Sequence, residues 1–310
     1  MVAALASLPD VADVTFVRGA SCAPDARPEL LVEVPHGATR ARHFRDLRCA
    51  LVGDYPSDLQ DFFFVNTDVG APEVALRVCE RLVAARPTAA AMVIRCLIPR
   101  TFIDCNRIID TTTVAGSGGA VGITPGLPAW VRDPRDRDLL LDRYAAYRRL
   151  ATAAFAEVCG NGGLGLMLHS YAPRSVDVPV DDKIVEHLRA AYAKDKVGTW
   201  ALRAPVDLIA DDPDGRRLAS PFLFARAQSA FVAAGFEVAV GGAYHLHPIT
   251  LAHEFAVRHA GRTLCLELRR DLLVPEFTPF AEMRGEPAKV DAAAAPLAAA
   301  VAATLQAEWG

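Results

Sequence analysis

The feature that most constrains the fold is an alternation of short, strongly apolar runs with longer stretches of helical periodicity. Residues 30–34, 90–98 and 164–168 are apolar runs typical of buried strands, whereas residues 72–86 and 136–158 repeat apolar side chains at helical spacing. Strands that alternate with helices of about ten or more residues form parallel or mixed sheets covered by helices on both faces. We therefore expect an α/β fold.

The remaining elements follow the same pattern. A helix is predicted over residues 220–234, and strands are predicted over residues 62–65, 206–209, 238–240 and 263–268. No linker rich in Pro and Ser and no internal repeat divides the chain. We expect one domain over residues 1–310, with a mixed, mostly parallel sheet.

Two segments interrupt this pattern. Residues 111–128 are rich in Gly and Thr and are predicted to form a long loop that contributes to the wall of an active site. The Ala-rich residues 292–303 are broken by Pro296, so we expect this stretch to be too interrupted to span a bilayer.

Charge and cysteine usage narrow the range of partners. The chain has 33 Lys and Arg against 37 Asp and Glu, a net charge of −4, and no long basic run, so a nucleic-acid partner is not expected. Its 7 cysteines are single and odd in number, which favours free thiols in a reducing compartment. With no signal-peptide pattern at the N-terminus, we expect a soluble cytoplasmic protein without a membrane partner.

Three polar residues follow predicted strands, where ligands bind in open α/β sheets. His36 comes after residues 30–34, Asp68 after residues 62–65, and His169 after residues 164–168. Two imidazoles and a carboxylate suit a catalytic zinc ion with one position left for water, which the metal would activate as a nucleophile.

Ordinary structural roles remain open for the same residues. An isolated histidine at a strand end is commonly a loop residue, and Asp68 is placed to cap a helix that begins near Pro72. No HExxH motif occurs, and position 39, three residues after His36, is Thr rather than an acid.

Glu267 interrupts the apolar run 263–268. It either faces solvent in a salt bridge with Arg269 or is buried, and a buried carboxylate needs a charged partner or a metal. In the second case it is a candidate general base.

The segment 99–107 carries a further cluster. Arg100 and Arg107 offer planar guanidinium groups for carboxylate recognition, and Asn106 adds an amide donor. The alternative is a structural ion-pair network of these arginines with Asp104.

Taken in order, these motifs resemble the N-formylglutamate amidohydrolase family, related to zinc carboxypeptidases and aspartoacylases. The resemblance extends over residues 30–275, and it rests on five short segments: Val34-Pro-His36-Gly37, Thr67-Asp68-Val-Gly-Ala, Ile103-Asp104-Cys-Asn106-Arg107, Leu168-His169-Ser170-Tyr171 and Leu264-Cys-Leu-Glu267-Leu-Arg269. It implies a single α/β domain of the zinc-peptidase type and metal-dependent amide hydrolysis.

The resemblance also implies roles for individual residues. His36 and His169 resemble the zinc ligands, and Glu267 resembles the base. Asn106 and Arg107 resemble the carboxylate-binding pair of the aspartoacylases, and Arg100 their carbonyl-polarising arginine.

One part of the family pattern is missing. The ligand motif with Glu three residues after His is absent, so Asp68 is our candidate for the third ligand, with Glu33 as an alternative that should point away. The segment 242–250, with Tyr244, loosely resembles the family's substrate loop.

The expected protein is thus a zinc-dependent amidohydrolase, with one divalent ion, that cleaves the amide bond of a small N-formyl or N-acyl amino acid. Two alternatives are a zinc carboxypeptidase or peptide amidase with a wider cleft, and a non-catalytic binding module on the same scaffold. The sequence leaves the acyl group, the amino acid and the oligomeric state open.

Overall fold

The computed structural model describes residues 5–109 and 126–309, which contain one seven-stranded sheet. The strands are β1 (Ala12–Arg18), β2 (Leu30–Val34), β3 (Ala90–Cys96), β4 (Leu164–Tyr171), β5 (Val206–Ile209), β6 (Val238–Val240) and β7 (Thr263–Arg269). Their order across the sheet is β1-β3-β2-β4-β7-β5-β6. The predicted loop at residues 111–128 lies, up to residue 125, outside the described residues.

The sheet is mixed. Strands β3, β2, β4 and β7 run parallel to one another, so their carboxyl ends share one edge. The edge strand β1 is antiparallel to β3, and the pair β5 and β6 is antiparallel to β7. The expectation of a mixed, mostly parallel sheet is confirmed.

Helices cover both faces of the sheet, as the alternating pattern predicts. They are α1 (Ala41–Ala50), α2 (Leu59–Asn66), α3 (Ala71–Ala85), α4 (Pro134–Val158), α5 (Ile184–Ala191), α6 (Pro221–Ala233), α7 (Leu251–Arg258) and α8 (Pro287–Trp309). One core, against one face of the sheet, is formed with α3, α6 and α8, and the core against the other face with α1, α2, α4, α5 and α7.

Local sequence accounts for several helix starts. The side chain of Asp133 accepts a hydrogen bond from the backbone N–H of Arg135, and Pro134 occupies the first turn of α4. Ser220 and Thr250 cap α6 and α7 in the same way. These caps supply acceptors for N–H groups that have no partner within the helix.

The strand predicted at residues 62–65 is wrong, because these residues belong to helix α2. Five apolar residues of α2 are buried: Leu59, Phe62, Phe63, Phe64 and Val65. An apolar run this short does not distinguish a buried strand from a helix that is buried on most sides. The strands and helices predicted elsewhere are present within a few residues of their expected bounds, whereas β1, α1, α5, α7 and α8 had no predicted counterpart.

Helix α8 also departs from expectation, because it continues through Pro296. Its segment Pro287–Ala307 has a mean hydropathy of 1.4 and is long and apolar enough to cross a membrane, but 56% of that window is buried within the protein. Residues of α8 pack with α3 and α6 in one apolar core. The apolar composition of α8 is therefore that of a helix in the core.

Candidate functional site

His36, Asp68 and His169 converge at the edge of the sheet where the parallel strands end. His36 lies just after β2, Asp68 lies between α2 and α3, and His169 lies in the last part of β4. Nδ1 of His36 is 3.2 Å, and Nδ1 of His169 3.0 Å, from Oδ2 of Asp68. All three residues are buried, and their potential ligand atoms lie within 4.8 Å of one another.

Neighbouring residues fix the orientation of this cluster. Nε2 of His36 is 2.8 Å from Oδ1 of the buried Asp104, and a guanidinium nitrogen of Arg270 is 3.5 Å from Oδ1 of Asp68. Burial alone would raise the pKa of Asp68, but the adjacent His36 and His169 outweigh burial and lower that pKa. Asp68 is thus held as a carboxylate that accepts hydrogen bonds on both oxygens.

The alternative in which Asp68 caps α3 is wrong. The N-cap residue of α3 is Gly70, and no side-chain hydrogen bond caps this helix. Glu33, the alternative third ligand, is buried, and its Oε1 accepts a hydrogen bond of 2.5 Å from the hydroxyl of Tyr147. The carboxyl of Glu33 is therefore bonded to Tyr147, and among the described residues it is not part of the group in which His36, Asp68 and His169 converge.

The donor set fits a divalent metal ion. Both ring nitrogens of His36 face carboxylate oxygens, and a neutral imidazole carries only one N–H to donate. A cation bound at Nδ1 would leave the Nε2 proton for Asp104, which is the usual outer partner of a metal-bound histidine. Two imidazole nitrogens and one carboxylate form a common zinc ligand set with a position left open.

Glu267 lies beside the cluster on β7, in register with His169 on β4. Its side chain is buried, and its Oε2 has no hydrogen-bond partner among residues 5–109 and 126–309. Burial raises the pKa of Glu267 to about 7. The alternative of a salt bridge to Arg269 is wrong, since Nε of Arg269 donates to Oδ1 of Asp271 at 2.8 Å.

The segment 99–107 places two arginines next to His36, because both arginines are near Asp104. Arg100 donates to Oδ2 of Asp104 at 2.8 Å, and a nitrogen of Arg107 is 3.9 Å from the same oxygen. Burial would raise the pKa of Asp104, but Arg100, Arg107 and His36 outweigh it and lower the pKa well below its usual range. The ion-pair network exists, and both arginines also face a cavity.

Asn106 is anchored from two sides. Its backbone N–H donates to Oδ1 of Asp104 at 2.9 Å, and its side-chain oxygen accepts from the backbone N–H of Ala252 at 3.1 Å. The side-chain oxygen is thus committed to the protein, so the NH₂ group is the part of Asn106 that can donate to a ligand.

One cavity of about 740 Å³ lies at this site. The predicted residues on its wall are His36, Asp68, Arg100, Asn106, Arg107, His169, Tyr244 and Glu267. The hydroxyl of Tyr244 accepts a hydrogen bond of 3.3 Å from Arg203, whose guanidinium lies over the rings of Tyr171 and Tyr244.

Sequence reasoning did not select three arginines of this cavity, Arg174, Arg203 and Arg270. Arg270 had a signal, because a basic residue that closely follows the strand of a buried carboxylate is a candidate partner for it. Arg174 and Arg203 had none, since both lie outside the helices and strands and belong to no motif.

Comparison with known proteins supports the fold. No protein-family model and no curated protein matches the chain. Among solved structures, an N-formylglutamate amidohydrolase from Ralstonia eutropha is similar, with a TM-score of 0.55 and 17% identity over 95% of this chain and 97% of that one. A gene product from Agrobacterium tumefaciens matches with a TM-score of 0.51 and 17% identity, over 97% of this chain and 96% of that one. The resemblance seen in the sequence motifs is therefore confirmed at the level of the fold.

Proposed function

We propose that this protein is a zinc-dependent amidohydrolase that cleaves the amide bond of an N-formyl or other N-acyl amino acid. The observation that carries the proposal is the arrangement on the cavity wall, which is lined by arginines. A buried His-Asp-His cluster lies next to Glu267, whose Oε2 has no hydrogen-bond partner among the described residues. The fold shared with an N-formylglutamate amidohydrolase supports the same reaction class.

His36, Asp68 and His169 would hold the single ion. When bound, a zinc ion would polarise the amide carbonyl and lower the pKa of a water molecule. Asp104 and Arg270 hold His36 and Asp68 in place, so the ligand atoms are positioned by the protein before the ion binds.

Glu267 is the proposed proton carrier. Its unpartnered Oε2 accepts a proton from the attacking water and then delivers that proton to the nitrogen of the leaving amine. The C–N bond breaks, the acyl carbon gains the water oxygen, and the products are a carboxylic acid and an amino acid.

Arg100 and Arg107 are proposed to bind the two oxygen-bearing groups of the substrate. Nε of Arg100 is buried without a hydrogen-bond partner in the part of the chain that the structure describes, which suits a donor to the carbonyl oxygen as negative charge develops there. Arg107 and the NH₂ group of Asn106 would bind the substrate carboxylate, and the hydroxyl of Tyr244 faces the same part of the cavity.

The second candidate is a carboxypeptidase or peptide amidase that uses the same residues. The cavity volume of about 740 Å³ supports this candidate, because a peptide needs a larger site. Both candidates give a hydrolytic enzyme, whereas a binding module would not release product. The substrate is a small molecule in the first candidate and a peptide in the second. A cytoplasmic location remains a prediction.

The test combines metal analysis with an assay of amine release. Purified protein should contain close to one zinc ion per chain and should release amine from N-acyl amino acids, and chelation should abolish the activity. Release from dipeptides but not from N-acyl amino acids would select the second candidate. Protein that holds the metal but hydrolyses neither class would contradict the proposed function.

A further inference from the structure

The cavity has one wall that the proposed chemistry does not use. We call it the apolar wall, and it consists of Phe62, Val65, Val178, Ile184, Leu188 and Tyr192. Phe62 and Val65 come from α2, and Ile184 and Leu188 come from α5. These four side chains belong to the core on their face of the sheet, and Val178 and Tyr192 pack against that core. The wall is thus backed by the core, and the polar residues Asn66, Arg174 and Asp177 line the cavity in the same segments of the chain.

A second, cationic wall contains Arg100, Arg107 and Arg203. Arg107 forms an isolated β-bridge with Thr250, and the backbone N–H of Ile108 donates to the carbonyl of Ile249 at 2.8 Å. The segment that carries Arg100 and Arg107 is therefore attached to the loop before α7, whereas the apolar wall is built from α2, α5 and their neighbours.

The candidate metal cluster joins these two walls. Asp104, which binds Arg100 of the cationic wall, also contacts Nε2 of His36, and Nδ1 of His36 contacts Asp68. Asp68 in turn lies shortly after Val65 of the apolar wall, at the end of α2. The reacting centre is therefore bonded to the cationic wall through Asp104, and Asp68 follows the apolar wall's helix α2 along the chain.

This arrangement orients an N-acyl amino acid. Its carboxylate and its acyl group lie on opposite sides of the amide bond. In an N-acyl amino acid whose carboxylate is bound by Arg107 and whose amide carbonyl lies beside Glu267, the acyl group would be on the side of the carbonyl carbon that is farther from Arg107. Apolar surface is the environment in which a hydrocarbon chain gains the most from leaving water.

The size of the cavity is consistent with a longer acyl group. Its volume of about 740 Å³ lies within the range of about 300–1,000 Å³ that is typical of sites for drug-sized ligands. An N-formyl amino acid is a small ligand for such a site, and its formyl group has no hydrocarbon to place against the apolar wall.

We propose that the preferred substrate carries a hydrocarbon acyl group of several carbons, which binds against the apolar wall, rather than a formyl group. This inference rests on the proposed amide hydrolysis and specifies its substrate class. A fully buried CH₂ group contributes about 0.8 kcal/mol, or about fourfold in the specificity constant. Each added CH₂ that the wall buries should therefore raise kcat/KM by up to about fourfold.

The test uses the zinc-loaded enzyme and two series of substrates, N-acyl-L-glutamates and N-acyl-L-alanines. In each series the acyl group is formyl, acetyl, butanoyl, hexanoyl or octanoyl. We expect kcat/KM to rise with chain length in the better series and to level off once the chain exceeds the wall. A flat or falling series, or a preference for N-formyl-L-leucine over hexanoyl substrates, would overturn this inference while leaving amide hydrolysis intact. Absence of hydrolysis with every N-acyl amino acid would instead contradict the proposed function.

A matched pair of variants tests the wall itself. Val178→Thr replaces a methyl group of the wall with a hydroxyl of similar size, and Val197→Thr makes the same change at a partly buried valine outside the cavity lining. We expect Val178→Thr to reduce kcat/KM for the hexanoyl substrate by at least about threefold more than it reduces kcat/KM for the formyl substrate. Equal effects on both substrates, or equal effects of both variants, would overturn the assignment.

Discussion

At the scale of single residues, the candidate site depends on which charges are buried together. Asp104 is fully buried, yet it remains ionised because Arg100, Arg107 and His36 surround it. Because Asp104 bonds both Arg100 and Nε2 of His36, it holds side chains from two segments of the chain in one fixed arrangement. Removing one charged residue from such a buried network leaves an opposite charge buried without its partner, which lowers the free energy of unfolding.

The role of Glu267 can be tested by an isosteric change. Glu267→Gln keeps the shape of the side chain but cannot accept a proton, so turnover should fall at least about a hundredfold. Metal content and the circular dichroism spectrum should be unchanged. The control Glu237→Gln, at an exposed position, should retain full activity. Near-normal turnover of Glu267→Gln would limit Glu267 to a structural role.

Arg107 can be tested with charged and uncharged substrates. Arg107→Ala removes a charge-assisted contact to the substrate carboxylate, worth about 2–5 kcal/mol when that carboxylate is buried. We expect kcat/KM to fall by about two to three orders of magnitude on N-acyl amino acids. Substrates with a carboxamide in place of the carboxylate should lose much less. Equal losses on both kinds of substrate would exclude this role.

At the scale of secondary-structure elements, the short connection between α2 and α3 places Asp68. Gly70 in this connection has a φ of 85°, and a Cβ there would be 2.6 Å from Cβ of the buried Leu273. The connection therefore packs closely against the segment that follows β7, and this segment also carries Arg270.

Gly70→Ala tests this connection. The left-handed backbone costs a non-glycine residue roughly 1–2 kcal/mol, and the contact with Leu273 adds the cost of overpacking, about 1–3 kcal/mol. We expect the free energy of unfolding, measured in urea, to fall by at least about 2 kcal/mol. Gly215 has the same backbone requirement, with a φ of 80°, but a Cβ there would have no neighbouring atom within 4 Å. Gly215→Ala should therefore lose only the cost of the left-handed backbone. Equal losses in both variants would contradict the tight packing at Gly70.

The start of α1 predicts a dependence of stability on pH. Burial and the nearby Arg95, Arg42 and Arg40 lower the pKa of His43 to about 4. In the unfolded chain the imidazole binds a proton at about pH 6.5, but in the folded protein it does so only near pH 4. Stability due to His43 is therefore complete above pH 6.5 and is lost as the pH falls from 6.5 towards 4.

His43→Gln removes this titration. Between pH 7 and pH 5 the wild type should lose on the order of 1 kcal/mol more of its free energy of unfolding than the variant, after allowance for solvent screening. Urea unfolding at the two pH values measures the difference. Parallel losses in the two proteins would mean that His43 titrates normally in the folded state.

At the scale of the whole molecule, the candidate ligands join three separate parts of the fold. His36 follows β2, Asp68 lies between α2 and α3, and His169 lies in β4, so an ion among them would connect segments about 100 residues apart.

Metal binding should therefore stabilise the folded protein. Free zinc at about 100 times its Kd should add about 2.7 kcal/mol to the free energy of unfolding, and chelation should remove this gain. His36→Ala and His169→Ala should each abolish both the gain and the bound zinc, whereas Asp68→Asn should weaken binding less, because its amide oxygen can still coordinate. The control His187→Ala, outside the cavity lining, should behave as the wild type. Stabilisation that survives in both histidine variants would contradict this metal site.

The sequence by itself determined the α/β architecture and the motifs of the site. Hydrophobic periodicity predicts strands such as Val206–Ile209 correctly, because it reflects which side of each element is buried. The short motifs around His36, Asp68 and His169 indicated the resemblance, since they place polar side chains within otherwise apolar surroundings.

Only the tertiary structure decided which of these residues meet. The run at residues 62–65 is helical because α2 is buried among other elements, which local periodicity cannot express. Asp68 could be a helix cap or a ligand until the fold placed it against both histidines, and Glu267 could face solvent until the sheet put it in register with His169. Side-chain environment depends on contacts between segments far apart in the chain, so burial, pKa and the division of the cavity into two walls arise only when those segments pack.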